Sequence, residues 1–546
     1  MMYKKWRFLA LLLLLPTSSL AQLSPPDSAP APLPSDDALE DSGAVIGEVR
    51  IEVQDVFDPE DPKEDKALYR LANRLHRTTR DQVIAEQLLF KPGDRYSRRV
   101  LDESERLLRG DRYLYDAEIR PVRYADGKVD LEVIARDVWT LNAGVGYGHS
   151  GGASSIHFQV QDTNLLGMGK SLTLEQSNTV DRSSSLVRYD DPELFGSRFQ
   201  LRLGFSSNSD GGEREINLSR PFYSLDSRWS AGLTARTDDR VDSLYELGEI
   251  TDRFRHQQDH FELRGGLSNG LHDGWARRWT AGFTFLRDRF SPAEDFADPS
   301  LLPGDRTLSY PWIGFDLVQD DFEEARNLDQ IHRTEDLFLG GQAHLRLGFS
   351  SPVFGGDQNR AVYDATASHG FHLSENQTLL FSSGLTGRWG RDGAEDALLD
   401  AGVRYYWRDF GEHLFFATLE GSVAENPDPD HQLLLGGDSG LRGYPLRYQD
   451  GDRRVLLTLE QRFFTHWYPL HLAHVGAAVF FDAGRTWSDL PGDRNLGLLK
   501  DVGVGLRLGS SRSALGQVIH IDLAFPLDGP ADLKRTQWLV TTKAGF

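Results

Sequence analysis

The 546-residue chain has no cysteine, which excludes disulfide bonds and thiolate metal sites. Long apolar segments are missing too, because no stretch reaches the ~20 apolar residues that a membrane helix needs. Nor does the chain carry a net positive charge. Its 60 lysines and arginines stand against 82 aspartates and glutamates, and the net charge of −22 argues against a nucleic-acid partner.

The N-terminus has the features of an export signal. Three cations lie among the first seven residues, residues 8–15 form a short apolar run, and Ala21 ends a small-residue cleavage site. We therefore predict a signal peptide over residues 1–21, with an N-terminal membrane anchor as the alternative. Residues 22–43 are rich in Pro, Ala, Ser and Asp without periodicity, which predicts a disordered linker.

A small α/β unit is predicted over residues 44–136. Alternating Val49, Ile51 and Val53 indicate a strand with one wet face. Leu101 and Leu108 lie on one stripe of a helix that Gly110 can end. The remaining predicted elements are helices near residues 66–75 and 79–89, and a hairpin of strands 113–124 and 128–137.

From residue 137 onwards the pattern changes to long alternating segments. In residues 502–508 and 519–527, for example, one face is apolar and the other is small or charged. An outer-membrane barrel turns such an apolar face to lipid and its charged face to a wet lumen. No helical pattern interrupts these segments for about 400 residues, and Trp139, Tyr147 and Trp538 near strand ends resemble interface girdles.

The expected fold is therefore all-β, a transmembrane antiparallel β-barrel over residues 137–546 that follows one small α/β domain. A soluble periplasmic β-protein is the alternative. Segment counting gives fifteen strands before the glycine-rich stretch at 436–445 and five after it. The sum of about twenty is even, as single-chain bacterial barrels require.

The glycine-rich stretch reads Gly436-Gly-Asp-Ser-Gly-Leu-Arg-Gly-Tyr-Pro445. Glycine at this density predicts a tight, folded-back loop instead of a strand. Arg442 is the one long cation in it and needs a counter-charge if the loop enters the lumen. Asp482 shares the lumen face of its strand with small residues that leave room for a loop, and Glu460 and Arg462 share a face of the preceding strand.

Several motifs, taken in order, resemble those of the BamA/TamA-type outer-membrane insertase and translocase family, the bacterial surface antigen barrels. The resemblance covers the whole barrel, and the order and spacing of the motifs make it specific. The motifs are Asn164-Leu-Leu-Gly-Met-Gly-Lys170, Asp191-Pro-Glu-Leu-Phe-Gly196, Leu441-Arg442-Gly443-Tyr444, Leu459-Glu460-Gln461-Arg462, Phe480-Phe481-Asp482-Ala483-Gly484, Val502-Gly503-Val504-Gly505-Leu506-Arg507, Asp522-Leu523-Ala524-Phe525-Pro526 and Phe546.

This resemblance implies a sixteen-stranded barrel, a lumen loop over residues 424–452 and a single POTRA-like domain at 44–136. It also implies that Arg442 engages the carboxylate of Asp482, as a guanidinium can through two parallel hydrogen bonds. The residues expected to lock the loop are Arg442, Gly443, Tyr444, Glu460, Asp482 and Gly484.

A closed barrel must pair its first strand, near 138–149, with its last, near 537–546. Gly144 and Gly146 weaken the first strand as a partner. The resemblance implies that such a weak seam opens and templates an incoming strand. The alternative is that these glycines only relieve crowding in the lumen. Phe546, which shares a face with Trp538, resembles the C-terminal signal by which outer-membrane barrels are recognised for assembly.

The resemblance thus implies a protein of the bacterial outer membrane, with its POTRA-like domain in the periplasm, that assists insertion or translocation of client proteins. Expected partners are outer-membrane lipid and lipopolysaccharide, extended clients at the POTRA-like domain, and the assembly machinery that inserts the barrel itself. A passive channel or structural barrel, and a dedicated secretion partner of one exported protein, are the alternatives.

Enzyme activity, a cofactor and a metal are not expected. Gly437-Asp-Ser-Gly440 matches a serine-protease nucleophile loop but lacks a supporting histidine and aspartate. Gly169-Lys170-Ser171 resembles the end of a phosphate loop, yet Asn164 stands where the first glycine belongs. Asp428, Asp430 and His431 offer cation ligands, but the prolines between them indicate a solvated loop.

Overall fold

The structure is a computed structural model that describes residues 33–294, 298–408, 411–488, 496–514, 518–531, 533–543 and 545. The predicted signal peptide and the first half of the predicted linker lie outside these residues. The described chain forms a three-stranded α/β unit followed by a closed antiparallel barrel. No helix in these ranges is long and apolar enough to cross a lipid bilayer.

The α/β unit has the element order predicted from the sequence. Its sheet runs β1–β3–β2, with β1 parallel and β2 antiparallel to β3, and Leu101 and Leu108 of the fourth helix are fully buried in its core. The elements are α1 Asp36–Asp41, β1 Val45–Gln54, α2 Ala67–Leu75, α3 Asp81–Gln87, α4 Arg98–Arg109, β2 Leu114–Ala125 and β3 Lys128–Asp137.

The predicted disorder of residues 22–43 is wrong for their C-terminal part, where α1 forms. Ser35 caps this helix by accepting a hydrogen bond from the Ala38 amide at 3.3 Å. Leu39 is fully buried in the core of the α/β unit. A single leucine in a polar stretch leaves no periodicity, so only the packing of the folded unit reveals the helix.

The barrel of the described residues closes with twenty strands, fifteen before the glycine-rich loop and five after it. The strands are β4 Leu141–Ser150, β5 Ala153–Asp162, β6 Ser171–Asn178, β7 Ser183–Asp191, β8 Gln200–Asn208, β9 Gly211–Arg220, β10 Trp229–Glu246, β11 Glu249–His272, β12 Trp275–Pro292, β13 Arg306–Gln319, β16 Gln342–Ser350, β17 Arg360–Ser374, β18 Gln377–Gly390, β19 Gly393–Trp407, β20 His413–Glu425, β23 Arg453–Phe464, β24 Ala473–Trp487, β25 Leu499–Ser510, β26 Val518–Pro526 and β27 Gln537–Lys543.

The count confirms the twenty strands obtained from segments and corrects the sixteen that the family resemblance implied. Between residues 245 and 424 the segments pair with both neighbours in the barrel wall, except residues 322–338, which form a separate hairpin. The 24-residue β11, for instance, pairs with β10 between Glu249 and Leu267 and with β12 between Phe254 and His272.

Two short hairpins and five single-turn helices lie between the barrel strands. The hairpins are β14 Phe322–Arg326 with β15 Thr334–Phe338, and β21 Leu433–Leu435 with β22 Gln449–Gly451. The single-turn helices are Leu165–Gly167, Leu194–Gly196, Pro299–Leu301, Pro352–Phe354 and Pro469–His471.

The barrel turns its apolar side chains outward and its charges inward. On β25, Val502, Val504 and Leu506 are 36–50% exposed on the outside, whereas Asp501 and Arg507 are fully buried inside. This is the inverse of a soluble protein and is the arrangement expected when lipid surrounds a polar lumen.

The α/β unit packs on one end of the barrel, here called the N-terminal rim. The rim consists of the turns at 163–170, 192–199, 221–228, 465–472 and 511–514 together with the insertion 320–341. At the junction, the buried carboxylate of Asp137 accepts hydrogen bonds from His76 Nε2 at 2.9 Å and from the Thr79 amide and hydroxyl at 2.8 and 2.7 Å. Buried Arg512 of the rim pairs with Glu64 of the unit.

Trp139 lies at this junction and not in a lipid-facing girdle. Its ring packs against a cluster of Val56, Phe57 and Tyr69 in the α/β unit. Its amide donates to the Arg512 carbonyl at 2.7 Å. Tyr147 and Trp538, the other two predicted girdle residues, are 44% and 46% exposed on the barrel.

Candidate functional site

The loop between β20 and β23, residues 426–452, folds back into the barrel lumen, within one or two residues of the predicted boundaries. Leu435, Leu441 and Tyr444 are fully buried and pack on Leu456 and Leu499 of the barrel wall. The β21–β22 ladder braces the base of the loop. The loop therefore fills the lumen with a small hydrophobic core of its own.

Gly440 shows why the loop needs glycine at its bend. Its φ of 118° lies in the left-handed region that side-chain-bearing residues avoid. A Cβ at this position would also collide with the side chain of Leu456.

Arg442 and Asp482, the pair implied by the family resemblance, are in direct contact. Arg442 Nε lies 2.7 Å from one carboxylate oxygen and Nη2 lies 2.9 Å from the other. Both side chains are buried, and the guanidinium carbon lies 3.3 Å from the centroid of the Phe480 ring. Bidentate hydrogen bonds and a cation–π contact together fix the guanidinium in one orientation.

Glu460 is the second acceptor, with Oε2 3.1 Å from Arg442 Nη1. Its other oxygen accepts from Arg462 Nε at 3.0 Å. Arg507 pairs with Asp522 on the adjoining strands and completes a buried group of three arginines and three carboxylates. Each of these charges lies beside one of opposite sign, which offsets the cost of removing them from water.

The other predicted lock residues hold the loop through its backbone and by close approach. The Gly443 amide donates to Asp501 at 3.0 Å, and a Cβ there would lie 2.6 Å from that aspartate. The Tyr444 hydroxyl donates to the carbonyls of Lys500 and Asp528 at 2.8 and 3.1 Å. Gly484 leaves room for Leu435, which a Cβ would approach to 2.8 Å.

Sequence reasoning missed a second plug, the insertion at residues 320–341 between β13 and β16. Leu328 and Ile331 at its tip are buried in the lumen against Tyr406, Phe464 and Val518. The residues of β14 and β15 alternate, so a local pattern does not distinguish these strands from those of the barrel wall. The stretch Asn327–Arg333 separates the two alternating segments and is too long for a two-residue hairpin turn. This length was the sequence feature that could have indicated an insertion.

This insertion, here called the rim plug, touches the same buried charge group as the lumen loop. Arg462 Nη1 donates to the Leu328 carbonyl at 2.5 Å and to Asp329 at 2.9 Å. Because Arg462 also binds Glu460, which accepts from Arg442 of the lumen loop, the two plugs are linked through the side chains of Glu460 and Arg462.

The rim plug also binds the α/β unit. Arg109 of α4 makes two hydrogen bonds to Asp336, at 2.5 and 2.9 Å. The Thr334 hydroxyl donates to Asp116 at 3.0 Å, and the guanidinium of Arg106 lies 4.2 Å from the Phe322 ring centroid. A continuous set of contacts therefore runs from the α/β unit through the rim plug to the lumen loop.

The seam between β27 and β4 is short. In the described part of β27, Gln537–Lys543, only Val540 pairs with β4, opposite His149. The ladders on either side are continuous, from Leu141 to Ser150 with β5 and from Gln537 to Lys543 with β26.

The two seam glycines have different surroundings. A Cβ on Gly146 would overlap the imidazole of His157, so at this position glycine relieves crowding. Gly144 has open space where a Cβ would be, and there the weaker strand propensity of glycine is the remaining physical effect.

Aromatic rings across the seam compensate for the short ladder. The indole of Trp538 stacks on the imidazole of His149, with centroids 4.2 Å apart and planes inclined by 12°. It also stacks on Tyr147 at 5.9 Å. The predicted C-terminal signal at Phe546 lies outside the described residues.

The sequence matches to other kinds of site have structural explanations. The Ser439 hydroxyl accepts from the Gly436 amide at 2.8 Å and so belongs to the loop bend. Asp428 binds Arg388 through two contacts of 2.6 and 2.8 Å, and Asp430 binds Arg306 at 2.8 Å. These two carboxylates therefore form ion pairs with arginines of the barrel wall.

Comparison with known proteins gives matches among solved structures. The chain is similar to BamA and CdiB. A BamA structure from Haemophilus ducreyi lacking POTRA domains 1–3 is 13% identical, with 91% of this chain and 84% of that chain covered and a TM-score of 0.39. CdiB from Escherichia coli is 14% identical, with 92% and 77% covered and a TM-score of 0.45. CdiB from Acinetobacter baumannii is 12% identical, with 92% and 73% covered and a TM-score of 0.44.

No protein-family model and no curated protein matches the chain.

Proposed function

We propose that this protein is an outer-membrane barrel of the BamA/TamA type that assists insertion or translocation of client proteins by opening between β27 and β4. The single paired position at this seam carries the proposal. A strand edge freed there presents unpaired amide and carbonyl groups that can template an incoming strand. The continuous ladders on both sides keep the rest of the wall intact while the seam parts.

The outer surface supports the membrane placement. Leu263, Trp279 and Ile313 are 53–62% exposed on three neighbouring strands, β11, β12 and β13, where lipid would cover them. In water such a continuous apolar outer face would promote aggregation, whereas the hydrocarbon of a bilayer would cover it. The α/β unit would then face the periplasm and lie beside the mouth of the lumen.

The sheet of the α/β unit offers edges for extended clients. In its order β1–β3–β2, the outer side of β2 has no strand partner among the described residues, and the outer side of β1 has none beyond its first residues, which bond to residues 93–96. An extended client segment can add to such an edge through main-chain hydrogen bonds, which do not depend on client sequence.

The two plugs explain how such a barrel avoids leaking. The lumen loop and the rim plug narrow the interior at different depths, so release of either widens the aqueous path and release of both opens it fully. Coupling through Arg462 and Arg109 makes the α/β unit, which would bind the client, the element that controls the rim plug.

Crosslinking the seam tests the proposal. The variant His149→Cys/Val540→Cys, bridged by a short bifunctional thiol reagent, is expected to lose the ability to accelerate folding of a small urea-denatured outer-membrane barrel in proteoliposomes. Because the chain has no cysteine of its own, Ser177→Cys/Ser184→Cys in the β6–β7 ladder is a matched control that should keep full activity. Full activity of the crosslinked seam would overturn the proposal in favour of a passive channel.

A further inference from the structure

A basic segment lies in the α/β unit of this acidic protein. Residues 66–80 carry five cations and no acidic residue, although the whole chain has a net charge of −22. The five are Lys66, Arg70, Arg74, Arg77 and Arg80, of which Arg70 forms an ion pair with Asp65 just before the segment. Such a local excess of one sign indicates a partner of the opposite sign.

The same segment has an exposed apolar face. Leu68, Leu71 and Leu75 recur at helical spacing on α2 and are 69%, 50% and 67% exposed. The core of the unit does not explain them, because α2 is fixed from another side by Tyr69, which is buried and stacks on Phe57 at 4.3 Å. A basic helix with a free leucine face has the composition of helices that lie in a membrane interface.

Three turns of the N-terminal rim carry exposed apolar tips in an unfavourable backbone conformation. Leu166, Phe195 and Leu470 have φ angles of 57°, 57° and 54°. Their side chains are 57%, 92% and 69% exposed. Bulky side chains disfavour the left-handed region, so three repeats of this geometry at one rim indicate a function for the projecting side chain.

The three apolar side chains project outward because the opposite side of each turn lies against the α/β unit. A Cβ on Gly167 would collide with the Thr78 carbonyl, and one on Gly196 would lie 2.8 Å from Glu86 of α3. The Leu470 carbonyl accepts from the Tyr69 hydroxyl at 2.5 Å. This last contact places α2 beside the third tip.

The tips continue the apolar outer surface of the barrel. Phe158 and Val160 of β5 are 53% and 48% exposed, and the turn with Leu166 follows that strand. Val187 of β7, which is 46% exposed, precedes Phe195 in the same way. The rim tips are thus the last members of outward-facing apolar rows.

We propose that α2 and the three tips insert into the phospholipid leaflet at the N-terminal rim, with the α2 cations bound to anionic phosphate groups. The inference rests on the outer-membrane placement proposed above. It assigns the α/β unit a fixed position against the membrane surface. Lipid is favoured over an extended polypeptide because five cations complement an anionic surface, and because the tips are continuous with the lipid-facing rows.

Single-cysteine labelling tests this inference without any client. Leu71→Cys and Phe195→Cys carry an environment-sensitive fluorophore on protein reconstituted in phosphatidylethanolamine and phosphatidylglycerol vesicles that contain spin-labelled lipid. We expect blue-shifted emission and quenching at both positions. Arg123→Cys, whose side chain is 72% exposed at the far end of β2, is the matched control and should show neither.

The cation contribution has its own readout. Arg70→Gln/Arg74→Gln in the Leu71→Cys background, or omission of phosphatidylglycerol, should reduce quenching at position 71. Quenching at position 195 should remain, because that tip relies on apolar contact.

Emission at both positions in the range of a water-exposed dye would overturn the inference. Emission that shifts only when an unfolded polypeptide is added would overturn it as well and assign the surface to clients. If lipid quenches both positions and the crosslinked seam keeps full activity, the proposed function is wrong and the lipid inference stands. The two results are separable because the lipid measurement does not involve client folding.

Discussion

Arg442 binds Asp482 through two hydrogen bonds, 2.7 and 2.9 Å long, that join a loop to a barrel strand forty residues further along the chain. Both groups are removed from water, so each depends on the other for its charge to be tolerated. The contact therefore does more than a surface ion pair, which contributes only about 0–1 kcal/mol.

Removing either partner should open the lumen. Arg442→Ala and Asp482→Ala each leave an uncompensated buried charge, and a loss of about 3–5 kcal/mol is expected for the docked loop. In planar bilayers both variants should show larger or more erratic conductance than the unaltered protein. Arg442→Lys should resemble Arg442→Ala, because an ammonium cannot make the paired hydrogen bonds.

Arg391→Ala, in an exposed turn between β18 and β19, is the control for the loss of an arginine and should conduct like the unaltered protein. If Arg442→Ala and Asp482→Ala both match this control, the loop is not held by the pair.

The seam should depend on its aromatic stack. Trp538→Ala removes the ring that packs on His149 and Tyr147, and such ring pairs contribute about 0.5–1.5 kcal/mol beyond their buried area. We expect faster hydrogen exchange of the β4 and β27 amides, with β6 and β7 unchanged as an internal reference. Equal exchange at the seam in both proteins would mean that the stack does not hold it.

The rim plug should limit conductance independently of the lumen loop. Replacing residues 322–338 by a short Gly-Ser linker removes the buried tip around Leu328 and Ile331, so the baseline conductance should rise. Combining this deletion with Arg442→Ala should raise it further, because the two plugs close different parts of the lumen.

An engineered disulfide should have the opposite effect to the deletion, because it would hold the rim plug in the lumen. A Cβ on Gly509 would lie 3.2 Å from the Ile331 Cβ, near the ~3.5–4.5 Å range of disulfides. Ile331→Cys/Gly509→Cys should therefore lock the plug and suppress openings until a reductant is added. Openings that persist under oxidising conditions would show that this plug does not gate the pore.

The rim plug should loosen as the pH rises. Burial raises the pKa of Glu335 from its usual 4.5 to about 7, and the nearby Asp329 carboxylate acts in the same direction. Between these two pH values the docked plug retains a proton that a solvated Glu335 would lose. The free energy that favours docking therefore falls as the pH increases through this window.

Glu335→Gln should abolish this dependence while keeping an acceptor for one of the Leu328 and Asp329 amides, which now donate at 2.9 Å. Single-channel openings counted at pH 5 and pH 7.5 (about the two ends of the window) provide the measurement. We expect more openings at the higher pH in the unaltered protein and equal counts in the variant. The same pH response in both proteins would exclude Glu335 as its source.

Local features of the sequence are enough to predict the strand pattern and the loop. Period-two alternation is a local property, so twenty strands and their inward and outward faces can be read from neighbouring residues. Glycine density fixed the bend around Gly440, and the spacing of Arg442, Glu460 and Asp482 identified the lock once a family resemblance supplied their pairing. Helix α1 was missed because one buried leucine makes no period.

Long-range packing determines which apolar segments form the barrel wall and which form a plug. β14 and β15 alternate like barrel strands, yet they leave the wall because the buried contacts of Leu328 with Arg462, and of Asp336 with Arg109, lie more than a hundred residues away in sequence. The length of the seam ladder and the exposure of Leu166, Phe195 and Leu470 are likewise set by how the barrel closes. These features depend on distant contacts, which a local pattern does not contain.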